Sequence, residues 1–348
     1  MSTHRIVPLL VLMVLAHSSR ASSQDVAVPS LSVRPAYEWT NVFAGKSVRL
    51  DCRVTSRNAG AVKLLWSVSI NRATIGRGER TINVAVDKPG DVSLNVDLPE
   101  LRPGVVSPAA LELTLVGPDG KQFSQTVELQ VFSPEVTANR EQWLKSLELA
   151  VFDPGKKTRA TLDGMKIPYK AVDGPKPQLT GQILIHGEAL DTARLNTTWQ
   201  GALETAASGK RVIVLASKPG AIPLDGLLTA GDVEQTRVVP GSVSLRRNDL
   251  IREFDKRLDS TQWPAPGRLN AVSLNVTAKP QGPRIEFRED SVGWSWLDVR
   301  YPGGGRLIWT GVGLIESWEA TPAARYLFMR LLEEMMDEKP EGGSKHAS

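Results

Sequence analysis

The sequence predicts two domains: an antiparallel β-sandwich, then an α/β domain built on a parallel sheet. The first observation is rhythm. From about Val26 to Phe132, short runs alternate apolar and polar residues with period two, and turn residues separate them. The second is the break in that rhythm after Ser133-Pro134-Glu135, where nearly continuous apolar runs alternate with stretches of helical spacing. The third is length, since 348 residues suit two domains of roughly 100–200 residues each. The expected boundaries are 26–133 for the sandwich and 145–336 for the α/β domain.

Within the sandwich, Ser47 to Val54 alternates strictly, as do Val62 to Ile70 around Trp66 and Thr81 to Val86. Asp91 to Leu98, Leu111 to Val116 and Gln125 to Phe132 continue the series. Arg57-Asn58-Ala59-Gly60 and Lys88-Pro89-Gly90-Asp91 punctuate it. Gly117-Pro118-Asp119-Gly120-Lys121 carries the Asp-Gly signature of a hairpin, whose tight turn needs positive φ. About seven short strands at this spacing imply two packed antiparallel sheets, with Trp66 between them.

In the second domain, Leu147 to Pro154 reads as a strand ending in a loop, Lys156 to Met165 as a short helix and Pro168 to Val172 as a strand. Gly181 to Gly187 is an apolar strand flanked by glycines, Ala189 to Ala207 has helical spacing, and Arg211 to Ala216 is again strand-like. Leu245 to Leu258 reads as a helix, followed by the rigid loop around Trp263. Strands are expected at Arg284 to Phe287, Trp294 to Tyr301 and Arg306 to Thr310, the last two joined by a Gly303-Gly304-Gly305 hairpin. Pro322 to Met336 is a closing amphipathic helix, with proline tolerated in its first turn. Residues 337–348 are charged and Gly/Ser-rich and are expected to be disordered.

Residues 1–21 have the form of a secretory signal. His4-Arg5 precedes an apolar run from Ile6 to Ala16, and Ser19-Arg20-Ala21 offers a small-x-small site, so cleavage is expected near Ala21. Export to the periplasm or beyond follows. No later stretch has the roughly 20 apolar residues a spanning helix needs, so no stable membrane insertion is expected.

Chemistry is sparse behind that leader. Cys52 is the only cysteine, and past the leader only His186 and His346 are histidines. An intrachain disulfide is impossible, and Cys52 reads as a buried small hydrophobe. A Cys-His or Ser-His-Asp hydrolase is poorly served by this set, as is a zinc site with His or Cys ligands. Neither a metal nor a cofactor is expected. The 42 Lys and Arg are interspersed with 38 Asp and Glu, and the densest basic stretch, Ser244 to Arg257, also holds Asp249, Glu253 and Asp255. This is the pattern of a solvated helix, and no nucleic-acid partner is expected.

The runs Leu149-Ala150-Val151-Phe152-Asp153-Pro154, Ile167-Pro168-Tyr169, Ile183-Leu184-Ile185-His186-Gly187-Glu188-Ala189-Leu190 and Gly209 to Leu215 resemble a class I glutamine-amidotransferase-like, flavodoxin-like fold. Gly304 to Thr310 and Thr321 to Leu327 are similar to its last strand and helix. The nearest flavour is the degenerate module attached to exported bacterial galactosidase-like glycoside hydrolases, whose companion immunoglobulin-like domains the sandwich resembles. Working amidotransferases hold a nucleophile in a Gly-x-Cys-x-Gly elbow, with a histidine and an acid further on. Here Leu215-Ala216 continues into Ser217-Lys218-Pro219-Gly220, no cysteine occurs in the domain, and no histidine follows Thr310 before the tail. The resemblance therefore implies a pseudoenzyme with no catalytic residue to carry over.

Two sets of residues could still bind a ligand. Trp294 and Trp296 are two apart, so on one strand they would share a face and could stack a sugar ring, with Trp263 nearby; the structural alternative is core packing. Asp153, His186, Glu188 and Ser217 would gather beyond the carboxyl ends of the parallel strands, where α/β sheets collect ligands. A lone histidine there can equally be structural. The expected function is a non-catalytic exported binding or accessory protein linked to carbohydrate processing, with a carbohydrate or an envelope protein as partner. The alternatives are a carboxylate-based, metal-assisted hydrolase using Asp153, Glu188 and Asp290, and a structural cell-envelope subunit.

Overall fold

The computed structural model describes residues 30–36, 41–175, 181–190, 195–223, 238–247, 249–258, 272–279, 282–288 and 293–337. The expected signal peptide, the tail beyond Asp337, Trp263 and Asp290 lie outside them.

The N-terminal domain is a two-sheet sandwich. Strands β1 (Leu31–Pro35), β3 (Ser47–Ser56) and β6 (Gly90–Asp97) form one sheet in the order β1-β3-β6. Strands β2 (Asn41–Phe43), β4 (Gly60–Ile70), β5 (Ala73–Val84), β7 (Val106–Val116) and β8 (Gln122–Phe132) form the other, in the order β2-β8-β7-β4-β5. All pairs are antiparallel except the short β2–β8 contact. Alternation explains the core: Leu50, Cys52 and Val54 from one sheet meet Val62, Leu64, Val68, Leu113 and Leu115 from the other in one cluster. Trp66, expected between the sheets, is only partly buried and packs against that cluster. The expected hairpin forms, with Gly120 at φ 76 and Gly117 N–H donating to the Lys121 carbonyl at 2.8 Å.

The second domain holds α1 (Glu141–Ser146), β9 (Leu149–Phe152), α2 (Lys157–Gly164), β10 (Lys170–Val172), β11 (Ile183–His186), α3 (Leu195–Ala207), β12 (Arg211–Val214) and β13 (Gly220–Pro223). It continues through β14 (Ser242–Arg246), α4 (Asp249–Phe254), β15 (Ser273–Lys279), β16 (Gly282–Arg288), β17 (Trp296–Arg300), β18 (Arg306–Thr310) and α5 (Pro322–Met336). Seven strands form a mixed sheet in the order β10-β9-β11-β12-β18-β17-β14. The first five are parallel, and β17 and β14 extend the sheet antiparallel. A three-stranded antiparallel sheet, β13-β16-β15, accompanies it.

Both faces of the mixed sheet are covered, which is why its strands are apolar throughout. Ile183, Ile185, Ile213 and Ile308 share a core with Leu162 of α2, Leu250 of α4 and Leu327 of α5. Leu184, Val212, Val214, Leu307 and Trp309 face the other way, toward Trp199 and Leu203 of α3 and Ile285 and Phe287 of β16. Helix α5 starts on its Thr321 cap, whose hydroxyl accepts the Ala323 N–H.

Two expected elements change. Leu245 belongs to β14, paired with Leu297, and the helix begins only at Asp249. Period-two apolar residues Val243 and Leu245 were available to a sheet edge, and ladder pairing with β17 overrode the helical spacing. Among the described residues helix α3 spans Leu195–Ala207, and Ala189, expected to open it, lies in the turn after β11 instead.

The two domains touch through named contacts. Asn41 Nδ2 donates to the Arg257 carbonyl at 2.7 Å, and Phe132 meets Tyr326 edge-on at 4.7 Å. Arg325, 5% exposed, inserts between them. Its guanidinium lies 4.6 Å from the Phe43 ring centroid, and donates to the Pro134 carbonyl at 2.9 Å, the Trp318 carbonyl at 2.8 Å and Glu319 at 2.8 Å.

Candidate functional site

The register fixes the carboxyl edge of the parallel strands. His186 pairs with Phe152 on one side and Val214 on the other, and Val214 pairs with Trp309. Asp153, Gly187 and Leu215 therefore follow at one level, as expected from sequence. The ladder continues beyond the strands: Gly187 N–H donates to the Phe152 carbonyl at 2.9 Å, Leu215 N–H to the His186 carbonyl at 3.1 Å, and Ala189 N–H to the Ala216 carbonyl at 2.6 Å.

Helix α2 organises one side of this edge. Asp153, 2% exposed, accepts the Arg159 N–H at 3.0 Å through Oδ2, an acid placed against the positive end of a helix. Among the described residues its Oδ1 has no hydrogen-bond partner. Position 187 must be glycine, since a Cβ there would come within 2.7 Å of Asp153 Oδ1. Glu188 N–H donates to Thr158 Oγ1 at 2.9 Å.

Glu188 is the most constrained acid. Its Oε2 accepts the Ile315 N–H at 2.8 Å and its Oε1 the Glu316 N–H at 2.9 Å. Burial pushes its carboxyl up to about 7, and the two amide donors oppose that rise without cancelling it. The carboxyl thus ties the turn after β11 to the segment after β18.

His186 stands on the opposite face. Leu184 points into the α3 core, and alternation sends His186 the same way, where it meets Phe152 edge-on at 5.5 Å. It is fully buried, and among the described residues neither ring nitrogen has a hydrogen-bond partner at ordinary geometry. Burial lowers it to about 4, and the Pro175 carbonyl nearby only partly offsets this. It is a neutral imidazole on the side of the sheet away from the two carboxyls. Ser217 is 3% exposed, and among the described residues its hydroxyl has no partner. Among the described residues, no three His, Cys, Asp or Glu side chains gather to hold a metal.

The tryptophan pair does not form the shared face that its spacing predicts. Trp296 is 5% exposed, packs with the α2–α4–α5 core and tilts against Phe254 at 5.5 Å. Trp294 packs toward the α3 core, with the Arg247 guanidinium 5.0 Å from its ring centroid. The cause is a change of pairing partner. Trp294 exchanges backbone bonds with Leu274, whereas Ser295 donates to the Arg246 carbonyl, so the two tryptophans do not sit on one regular strand.

Sequence reasoning brings Asp153, Glu188 and Ser217 to the correct edge. It misses Thr158 and the Ile315 and Glu316 amides. Backbone donors carry no side-chain signal, and Thr158 is one of many threonines.

Neither a protein-family model nor a curated protein matches this chain. Solved structures give local likenesses. A sporulation control protein, Spo0M from Bacillus subtilis, has 13% identity over 40% of this chain and 56% of its own, at a TM-score of 0.25. Murine CRIg has 20% identity over 30% of this chain and 97% of its own, at 0.20. The periplasmic chaperone SfaE has 7% identity over 35% and 65%, at 0.22. At such scores none of them defines a family for this chain.

Proposed function

We propose that this chain is a non-catalytic exported binding protein that serves carbohydrate processing. In this reading an immunoglobulin-like sandwich precedes an amidotransferase-like, flavodoxin-like domain that has lost its active site. The observation that carries it is the engagement of Glu188, whose two carboxylate oxygens accept the Ile315 and Glu316 amides one each, so that the carboxyl orders the backbone of the loop after β18. Asp153 and Ser217 are nearly fully buried, and His186 lies on the far face. The parallel order β10-β9-β11-β12-β18 supports the amidotransferase-like assignment, and the link to carbohydrate rests on the sequence resemblance.

The test is incubation of the chain with a panel of oligosaccharides and amide substrates, with binding and product formed followed together. Saturable binding without product is expected. Product that disappears in the Asp153→Asn protein would establish the carboxylate hydrolase in its place.

A second reading, an envelope assembly subunit, has one observation in its favour. Val239 and Val243, 66% and 44% exposed, place apolar surface at the β14 edge of the mixed sheet. Crosslinking in envelope extracts distinguishes it: a specific adduct lost in Val243→Lys protein supports assembly, and a monomer without adducts removes it.

A further inference from the structure

A cleft of about 570 Å³ opens between α5, the end of α4 and the linker ahead of α1, a volume within the range of small-molecule sites. Four cations line it, Arg140, Lys256, Arg257 and Arg330, against three acids, Glu253, Asp255 and Glu333. Glu253 is already paired with Arg246, which lies outside the lining. Two acids are then left against four cations, a surplus of two positive charges. The charges are also layered. Asp255 and Glu333 are 15% and 21% exposed, whereas Arg257 and Arg330 are 49% and 43% exposed, so the acids lie low and the cations form the rim. Arg257 donates to Asp255 through Nε and one Nη, and Arg330 to Glu333 through one Nη. A guanidinium has five N–H groups, so each rim arginine keeps donors that its acid does not take. Lys256 is exposed and has no acidic partner among the described residues. Phe254 and Tyr326, both partly buried, add aromatic surface.

We propose that this cleft binds a small phosphate monoester that carries an apolar or aromatic group. A monoester bears a charge of about −1.5 to −2 at neutral pH, close to the surplus of the cleft, and its oxygens suit guanidinium forks. A carboxylate would neutralise half of that surplus, and an uncharged ligand none of it. None of these residues belongs to the sheet edge around Glu188, so the site and its ligand class stand apart from the carbohydrate-associated reading.

The test is isothermal titration calorimetry of the full chain with phenyl phosphate, inorganic phosphate and benzoate, at about pH 7.5, where the monoester is a dianion. Phenyl phosphate should bind one to one, about 10-fold tighter than either of the others. Lys256→Ala and Arg330→Gln should each weaken it about 10-fold, since each removes a charge-assisted contact. Glu333 keeps Arg140 when Arg330 is changed, so the fold should survive, and Lys256→Ala decides the matter if it does not. Lys88→Ala removes an exposed charge from the sandwich and should leave binding unchanged. No binding of phenyl phosphate overturns the site, as does binding that the cleft variants retain in full. Equal weakening by Lys88→Ala would reveal attraction to overall charge alone and overturns the cleft assignment. Benzoate binding as tightly as phenyl phosphate overturns the phosphate class, and inorganic phosphate doing so overturns the aromatic part.

Discussion

Glu188 Oε2 accepts the backbone N–H of Ile315 at 2.8 Å, joining two turns that are 127 residues apart in the chain. That bond and its neighbour to Glu316 turn the exposed end of a parallel sheet into a braced surface. A carboxylate in this setting orders the backbone of the next loop.

Bracing by a buried acid carries a pH signature. The Glu188 carboxyl is held at about 7 against an ordinary 4.5, so the folded chain binds its proton more tightly than the unfolded chain. Its contribution to stability is complete below about pH 4.5 and is lost as pH rises through about 7. His186 works in the opposite sense: its folded value is about 4 against 6.5, so its contribution is present above pH 6.5 and is lost as pH falls through about 4. Between these limits the two slopes oppose each other. Glu188→Gln removes one of them, so the variant should gain on the wild type by about 3 kcal/mol between pH 4.5 and pH 7. Urea denaturation at several pH values measures this, and a pH-independent difference would refute it.

Ala189 has φ 63, a left-handed conformation that costs an L-residue about 1–2 kcal/mol. Glycine removes that cost and loses about 0.5–1 kcal/mol of its own in chain entropy. Ala189→Gly should therefore be stabilising by about 0.5–1 kcal/mol. A lower melting temperature for the variant would show that the methyl group makes contacts outweighing the strain.

Arg325 joins the domains through the Phe43 ring and the Pro134 carbonyl. Arg325→Ala should cost about 3 kcal/mol, and Arg325→Lys should restore little of it, since one ammonium cannot reproduce a planar fork of donors. Calorimetry should show the sandwich and α/β transitions drawing apart. A single transition at the wild-type temperature would mean that the Asn41 and Phe132 contacts suffice.

The two tryptophans should differ. Trp296→Ala removes a buried core side chain and should cost about 3–5 kcal/mol, whereas half-buried Trp294→Ala should cost about 1–2 kcal/mol. Chemical denaturation separates these values. Equal, small costs would return the pair to the surface.

Much of the framework was legible in the sequence, for physical reasons. Strands β3, β4, β7 and β8 bury one face and so alternate, while β9, β11, β12 and β18 bury both and so read as continuous apolar runs. Strands β1, β2, β13, β14 and β15 were not legible, because edge strands owe their form to their partners: β14 is paired with β17, and Leu245 alone looks helical. The edge position of Asp153 and Glu188 followed from where the strands end. The brace did not, because its donors are the backbone amides of Ile315 and Glu316. Trp294 and Trp296 pack on the two cores, as the structural alternative has it, but without a shared face, because period two holds only while one strand continues and the chain changes partner at Ser295.

Amide hydrogen exchange at Ile315 and Glu316, compared between wild type and Glu188→Gln, is the most direct test of a braced, non-catalytic edge. Both amides should be protected in the wild type, and both should exchange faster in the variant while the amides of α5 stay protected. Unprotected Ile315 and Glu316 amides in the wild type would contradict this, leaving the Glu188 carboxyl free to serve as an acid or base.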